Sequence, residues 1–245
     1  MTEPAPPRPN HGYGTPNTDY VRTWRERADP RPMWALNLMR YRPKAQYPDG
    51  RATDLTGWEA DDLYAPYEEL AAVGAAGILR APVVHQLVGD GARWDRVAIA
   101  RYPTQGAMLD MQMLPAFQER HQHKIAGMEF TIVVATFRRD GAAPPPAAAD
   151  ETPFLLLQLV GDKSAPDLAA GLGAQHIATF DADNVIIGDE RRYAEARWHA
   201  VSEAVGEELR RRPRIDSLSS YAFLLKPDRN ALAASLQHEP FPRRK

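Results

Sequence analysis

Apolar positions along this chain alternate between two periods, and the changes of period mark its elements. Met33–Tyr41, MWALNLMRY, is the first strand-like stretch, and six of its nine residues are plainly apolar. A near-continuous run of this kind predicts a strand buried on both faces. Gly57–Val73 places Leu63, Tyr67, Leu70 and Gly74 on one stripe and predicts a helix kinked at Pro66. Ile78–Val88 predicts a second strand, with Pro82 marking an edge or a bulge. Gly89-Asp90-Gly91 reads as a turn and Trp94–Tyr102 as a third strand. Thr104–Ala126 predicts a second helix, kinked at Pro115 and closed by Gly127 in a C′ role. Phe130–Phe137, rich in β-branched residues, predicts a fourth strand. The order βαββαβ is that of a ferredoxin-like unit.

This unit, residues 32–139, is flanked by two segments of different grammar. Residues 1–31 are Pro-rich and polar and predict an extended arm. Within it, residues 1–18 are expected to lack regular structure and to be removable at little cost. Thr18–Arg27 predicts a short helix, with Tyr20 and Trp24 at i, i+4 packing onto the domain. Asp140–Thr152, DGAAPPPAAADET, reads as a linker. The strand–helix grammar then restarts over residues 153–245. Phe154–Val160 predicts a strand and Ala165–Leu172 a short helix, followed by strands near His176–Phe180, Asn184–Ile187 and Tyr193–Ala200. Ser202–Arg212 predicts a helix, Ser217–Leu225 a closing strand, and Asp228–Leu236 a final helix. LVGDGARWDRVAIARY begins at Leu87 and IIGDERRYAEARWHAV at Ile186, an offset of 99 residues. The expectation is an α+β chain of two tandem βαββαβ repeats, the second eroded, with the sheets of 33–138 and 153–226 facing each other.

Several short strings in the first half carry a resemblance: Asn37-Leu38-Met39-Arg40-Tyr41, Ala45-Gln46-Tyr47, Trp94-Asp95, Arg101-Tyr102-Pro103 and Ile125-Ala126-Gly127-Met128. Over about residues 33–137 the chain resembles an uncharacterised family of the dimeric α/β barrel superfamily with an NLLRFR-type first strand. Lys124 stands where the resemblance would put arginine. The resemblance implies a tandem repeat that builds the dimeric-α/β-barrel arrangement within one chain. It also implies a range of activities: cofactor-free monooxygenases, polyketide-type cyclases, isomerases of small lactones, and haem proteins, some of which are tandem two-repeat chains. Fold analogy does not choose among them.

Composition narrows the range. A net charge of −2 over 245 residues offers no basic excess for nucleic acid. Arg210-Arg211-Arg212 is better read as complementing a helix C-terminus. The absence of cysteine removes disulfides, thiolate nucleophiles and iron–sulfur ligation. The longest apolar runs are strand-sized and no signal-peptide h-region opens the chain, so a cytoplasmic protein with no membrane partner is expected. No P-loop, GxGxxG, GxSxG or HExxH pattern is present.

The remaining candidates suit acid–base chemistry on a small molecule. Phe117, His121, Ile125 and Met128 share a helical stripe, so His121 faces inward as a candidate base, while His123 lies roughly opposite. A core histidine bonded to a carbonyl is the competing reading. His85 alternates with Val83 and Leu87 on an apolar strand face. Asn37 can hold a developing oxyanion or tie strands together. Tyr67 and Tyr102 complete the candidate catalytic set, with Arg40, Arg101 and Tyr64 as substrate-binding candidates. For Arg101 the competing role is an ion pair with Asp95, and for the tyrosines it is core packing. Met108, Met111 and Met113 are read as core fillers. No metal site is expected. The leading reading is a cofactor-independent cyclase, isomerase, lyase or monooxygenase acting on an apolar substrate, in biosynthesis. The first alternative is a haem protein, for which His199 and His176 are the candidate ligands. The second is a non-catalytic ligand-binding or structural barrel. Oligomeric state, including a homo-oligomer, stays open.

Overall fold

The computed structural model describes residues 12–139, 145 and 147–237. In the first half the elements are β1 (Thr15–Pro16), α1 (Thr18–Arg27), β2 (Met33–Tyr41), α2 (Gly57–Tyr64), α3 (Tyr67–Ala72), β3 (Ala76–Gly89), β4 (Arg96–Tyr102), α4 (Gln105–Gln112), α5 (Pro115–Gly127) and β5 (Met128–Arg138). The second half supplies β6 (Phe154–Val160), β7 (Gln175–Gly188), β8 (Glu195–Val201), α6 (Glu203–Arg210), β9 (Ile215–Asp216), β10 (Tyr221–Leu225), β11 (Arg229–Asn230) and α7 (Leu232–Gln237). Among the described residues no helix is long and apolar enough to cross a membrane.

Eight of the strands close into one antiparallel barrel, in the order β7-β5-β2-β4-β3-β10-β6-β8, with β8 pairing back onto β7. Each half contributes four neighbouring strands in the order fourth, first, third, second. β3 runs from 76 to 89 and β7 from 175 to 188, and β4 and β8 start at 96 and 195, so the 99-residue offset recurs in the strands themselves. Closure leaves no barrel strand with an open edge, which removes the hazard of unpaired N–H and C=O groups. The barrel interior is apolar. Trp34, Leu36 and Leu38 of β2 meet Leu155, Leu157 and Leu159 of β6 there, with Trp198 and Phe223.

Alternation puts the other face of β2 outside the barrel, where Met33 and Ala35 pack under the helices and Met39 and Tyr41 form a separate cluster. The first strand is thus covered on both faces, as its run of apolar residues predicts.

Both proline kinks are full breaks. Pro66 is the N-cap of α3, and Pro115 takes the first turn of α5, where a missing N–H costs no hydrogen bond. The break after α2 turns the predicted stripe. Leu63 is 49% exposed and Tyr67 41% exposed, while the buried positions of α2 are Gly57, Ala60 and Asp61. Met108 and Met111 are buried as core fillers, but Met113 lies beyond the end of α4 and is 72% exposed. Gly127 is the last residue of α5 rather than a left-handed C′ residue. Its lack of a side chain serves a close approach, since a Cβ there would press on the Gly57 carbonyl oxygen. Arg42 N–H donates to the Gly127 carbonyl at 2.9 Å and Gly57 N–H to the Arg42 carbonyl at 3.0 Å, locking the end of α5 to the start of α2.

The arm departs from its expected disorder over residues 12–18. Residues 1–11 lie outside the described part. Thr15 and Pro16 pair with Gly188 and Ile187, and Thr131 N–H donates to the Tyr13 carbonyl at 2.8 Å. The Tyr13 side chain is only 2% exposed. α1 forms where its pattern predicts, with Asn17 as N-cap, and Tyr20 and Trp24 buried edge to face. Removing residues 12–27 is therefore expected to lower the thermal midpoint measurably, because it uncovers apolar surface under α1 and empties the Tyr13 site. An unchanged midpoint would restore the view of a dispensable arm.

The linker falls partly on residues 140–144 and 146, outside the described part. Ala147–Glu151 forms a 3₁₀ turn whose Asp150 carboxylate accepts from the Ala233 and Ala234 N–H groups at 2.8 Å, capping α7. The helix expected over Ala165–Leu172 does not form. Short turns take its place, and side chains from outside bond other backbone groups of the segment. Gln158 bonds the Pro166 carbonyl and the Leu168 N–H, and Arg197 bonds the carbonyls of Lys163 and Ala165. The two expected strands that follow merge into the single β7.

Candidate functional site

A cavity of about 330 Å³ lies outside the barrel, between the outer face of the first-half sheet and the helices above it. Small residues make the room. Ala35, Gly77, Ala98 and Ala100 are neighbours across β2, β3 and β4, and together they leave a floor without large side chains. The two proline breaks open the roof, so that α2 to α5 contribute short, differently angled faces. The walls include Leu79, Met108, Met111 and Phe117.

Asn37, Tyr64, Tyr67, Tyr102 and His121 all line this cavity. His121 reaches it from α5. Its ring stacks on Phe117 at 5.3 Å and meets Tyr64 at 6.0 Å. Tyr13 comes from the arm, and its Oη lies 2.7 Å from His121 Nε2. Burial raises the phenols of Tyr13, Tyr64 and Tyr102 above the usual tyrosine range, so they remain protonated donors. Asn37 donates one N–H to the Ala35 carbonyl at 2.9 Å, and Tyr102 directs its hydroxyl to Met111 Sδ at 3.8 Å. Tyr67 stands at the mouth, with the Arg229 guanidinium 4.9 Å from its ring centre.

The other candidates lie elsewhere. His85 points away from the cavity, its Nε2 2.9 Å from the Arg212 carbonyl after α6. β3 changes partner along its length, and His85 sits on the stretch that pairs with β10. Arg40 faces Glu129 at 3.5 Å and the Phe130 ring. Arg101 is buried against Trp34, and that burial lowers its pKa. Asp95 is not its partner, since its carboxylate accepts from the Tyr41 N–H and from Arg93. His176 and His199 are cross-strand neighbours on the outer face of the second half, 5.3 Å between ring centres. His199 Nε2 lies 3.3 Å from Asp167, and His176 Nε2 lies 3.0 Å from Thr179 Oγ1. Neither histidine lines the cavity.

Several polar groups that line the cavity have no counterpart among the sequence candidates, and Tyr13, Asp61 and Lys124 are those nearest its acid–base chemistry. Asp61 accepts from Tyr41 Oη at 2.6 Å and from Arg96 at 3.0 Å, and the fully buried Arg96 also reaches Asp62 at 2.9 Å. Lys124 is 8% exposed. Its burial holds the amine below the usual lysine range, with the Asp61 carboxylate pulling the other way. A signal for Lys124 existed in the sequence: it lies three residues after His121 and seven after Phe117, on the same helical face. Asp61 shares a face with Gly57 and Tyr64 in the same way.

No family model matches this chain, and no curated protein matches it. Two solved structures are similar to it. The methylated RPA0582 protein is 28% identical, with 55% of this chain and 100% of that chain covered, at a TM-score of 0.48. A structure of the RPA0582 protein from Rhodopseudomonas palustris, titled as a protein of unknown function, is 28% identical, with 51% and 95% covered, at a TM-score of 0.45.

Proposed function

We propose that this chain is an enzyme that moves a proton on a small carbonyl compound with an apolar body, in an isomerisation, cyclisation or elimination run by side chains alone. The observation that carries this reading is the 2.7 Å contact between Tyr13 Oη and His121 Nε2 inside an otherwise mostly apolar cavity. His121 takes the proton. Tyr13, held protonated, donates its hydroxyl to the ligand while its oxygen accepts the imidazole Nε2–H, which leaves Nδ1 as the basic nitrogen. Asn37 has a second N–H to offer the oxygen on which negative charge develops. The shared strand order and the 99-residue offset support reading the barrel as two ferredoxin-like units fused in one chain, in keeping with the dimeric α/β barrel resemblance. In that reading the second unit completes the barrel and the first carries the chemistry.

A test need not await the natural substrate. A general base exchanges acidic C–H protons for deuterium whatever the later steps are. Cyclic 1,3-diketones and unsaturated lactones, incubated with the protein in D₂O and followed by proton NMR, are expected to include at least one compound that exchanges faster than in buffer. Compounds that bind the cavity yet all exchange at the buffer rate would sink the proposal.

A further inference from the structure

Lys124 is in an unusual position for a lysine of this chain. The sequence has five lysines, and four of them fall in the described part. Lys44, Lys163 and Lys226 are exposed, the first two paired with Asp54 and Asp181. Lys124 alone of the four is buried, and among the described residues its ammonium has neither a hydrogen bond nor an ion pair. Its Nζ lies 5.0 Å from the centre of the Tyr64 ring. The nearby Asp61 carboxylate acts on this charge only through space, because its hydrogen bonds go to Tyr41 and Arg96. A buried cation without a partner is costly, and such groups persist where something else supplies the counter-charge. Lys124 opens onto the cavity, so the missing partner fits there. The mouth adds Arg80 and Arg229. Arg80 is occupied by Asp62 and Asp228, whereas the Arg229 guanidinium donates to the neutral Gly77 carbonyl.

We propose that Lys124 Nζ is the anchor for the carboxylate of a small organic acid whose apolar body lies between Tyr64, Phe117, Met108, Met111 and Leu79. This names the substrate class and rests on reading the cavity as the substrate site. A charge-assisted hydrogen bond from Nζ would satisfy both the ammonium and the carboxylate in a site with little water. The acid's reacting carbon would then lie toward His121, one helical turn away on the same face of α5.

The test uses the whole protein and a matched pair of non-reacting probes, 2-naphthoate and 2-naphthamide, which differ in charge but hardly in shape. Affinities are measured at neutral pH by ligand-observed NMR or calorimetry for the wild type, Lys124→Met and Lys124→Gln. The wild type is expected to prefer the carboxylate at least ten-fold. Both variants should lose that preference while keeping the amide affinity within about two-fold. Lys124→Met should also melt at a higher temperature than the wild type, because an apolar chain of similar length replaces an unpaired buried charge. Equal affinities for the two probes in the wild type would overturn the proposal. So would a preference that survives in the variants, failure of both probes to bind at millimolar concentration, or a lower melting temperature in Lys124→Met. Deuterium exchange is read separately: loss of exchange with the carboxylate preference intact removes the base and not the anchor, and the converse removes the anchor alone.

Discussion

His121→Ala is expected to slow protein-catalysed deuterium exchange by roughly 10²–10⁴-fold, the span that a positioned general base contributes. The protein should remain folded, because His121 is half-buried at the cavity wall and not within the barrel core. Some stability is lost with the stacking on Phe117 and the contact to Tyr13. Tyr13→Phe separates the two contributions: it keeps the ring in place, removes the hydroxyl, and should slow exchange less than loss of the imidazole does. Melting curves and exchange rates taken on one preparation discriminate the roles. A packing histidine would lower the melting temperature of His121→Ala while the folded protein exchanged at the wild-type rate.

Arg96→Met is expected to destabilise the fold by about 3–5 kcal/mol, the usual cost of breaking a buried ion pair from one side. For a chain of this size that corresponds to a fall in melting temperature of roughly 10 °C. Arg96 is fully buried, bonds Asp61 and Tyr41, and lies 3.8 Å from the Trp58 ring centre. Without it the Asp61 carboxylate keeps only the Tyr41 hydroxyl. Asp61→Asn should cost less, because Asp62 still faces Arg96 at 2.9 Å. The pair also shapes the site, since Asp61 lines the cavity beside α5. A loss below 1 kcal/mol in Arg96→Met, measured by denaturant melts, would show that the pair is not a buried anchor between α2 and β4.

The limits of sequence reading follow from what each residue answers to. Trp34, Leu36 and Leu38 alternate with outward residues because a pleated strand forces period two, and that constraint is local. Tyr20 and Trp24 meet because they are four residues apart on a helix. Asn37, Tyr64, Tyr67, Tyr102 and His121 were legible as candidates because polar or aromatic groups on otherwise apolar stripes stand out. Leu63 and Met113 looked buried on the same logic. They are exposed because Pro66 and Pro115 restart the helices at new angles, and a periodic stripe holds only within one continuous helix.

Other features depend on residues far apart in the chain. Tyr13 lies in a Pro-rich segment with no apolar period, and it is ordered by Thr131 and His121, more than a hundred residues away. Lys124 shares the helical face of His121 and Phe117, but nothing within a few residues records that Tyr64 and Asp61 will lie beside it. Closure of the barrel has the same character, because β8 meets β7, and β3 meets β10, through backbone hydrogen bonds indifferent to side-chain identity. Element type, the repeated strand pattern and the inward face of α5 follow from local periodicity and propensity, so the chain carries them in plain order. The cavity, the partners of its charged groups and the seating of the arm arise from long-range packing. There small side chains on three strands and two broken helices leave a space that no single stretch encodes.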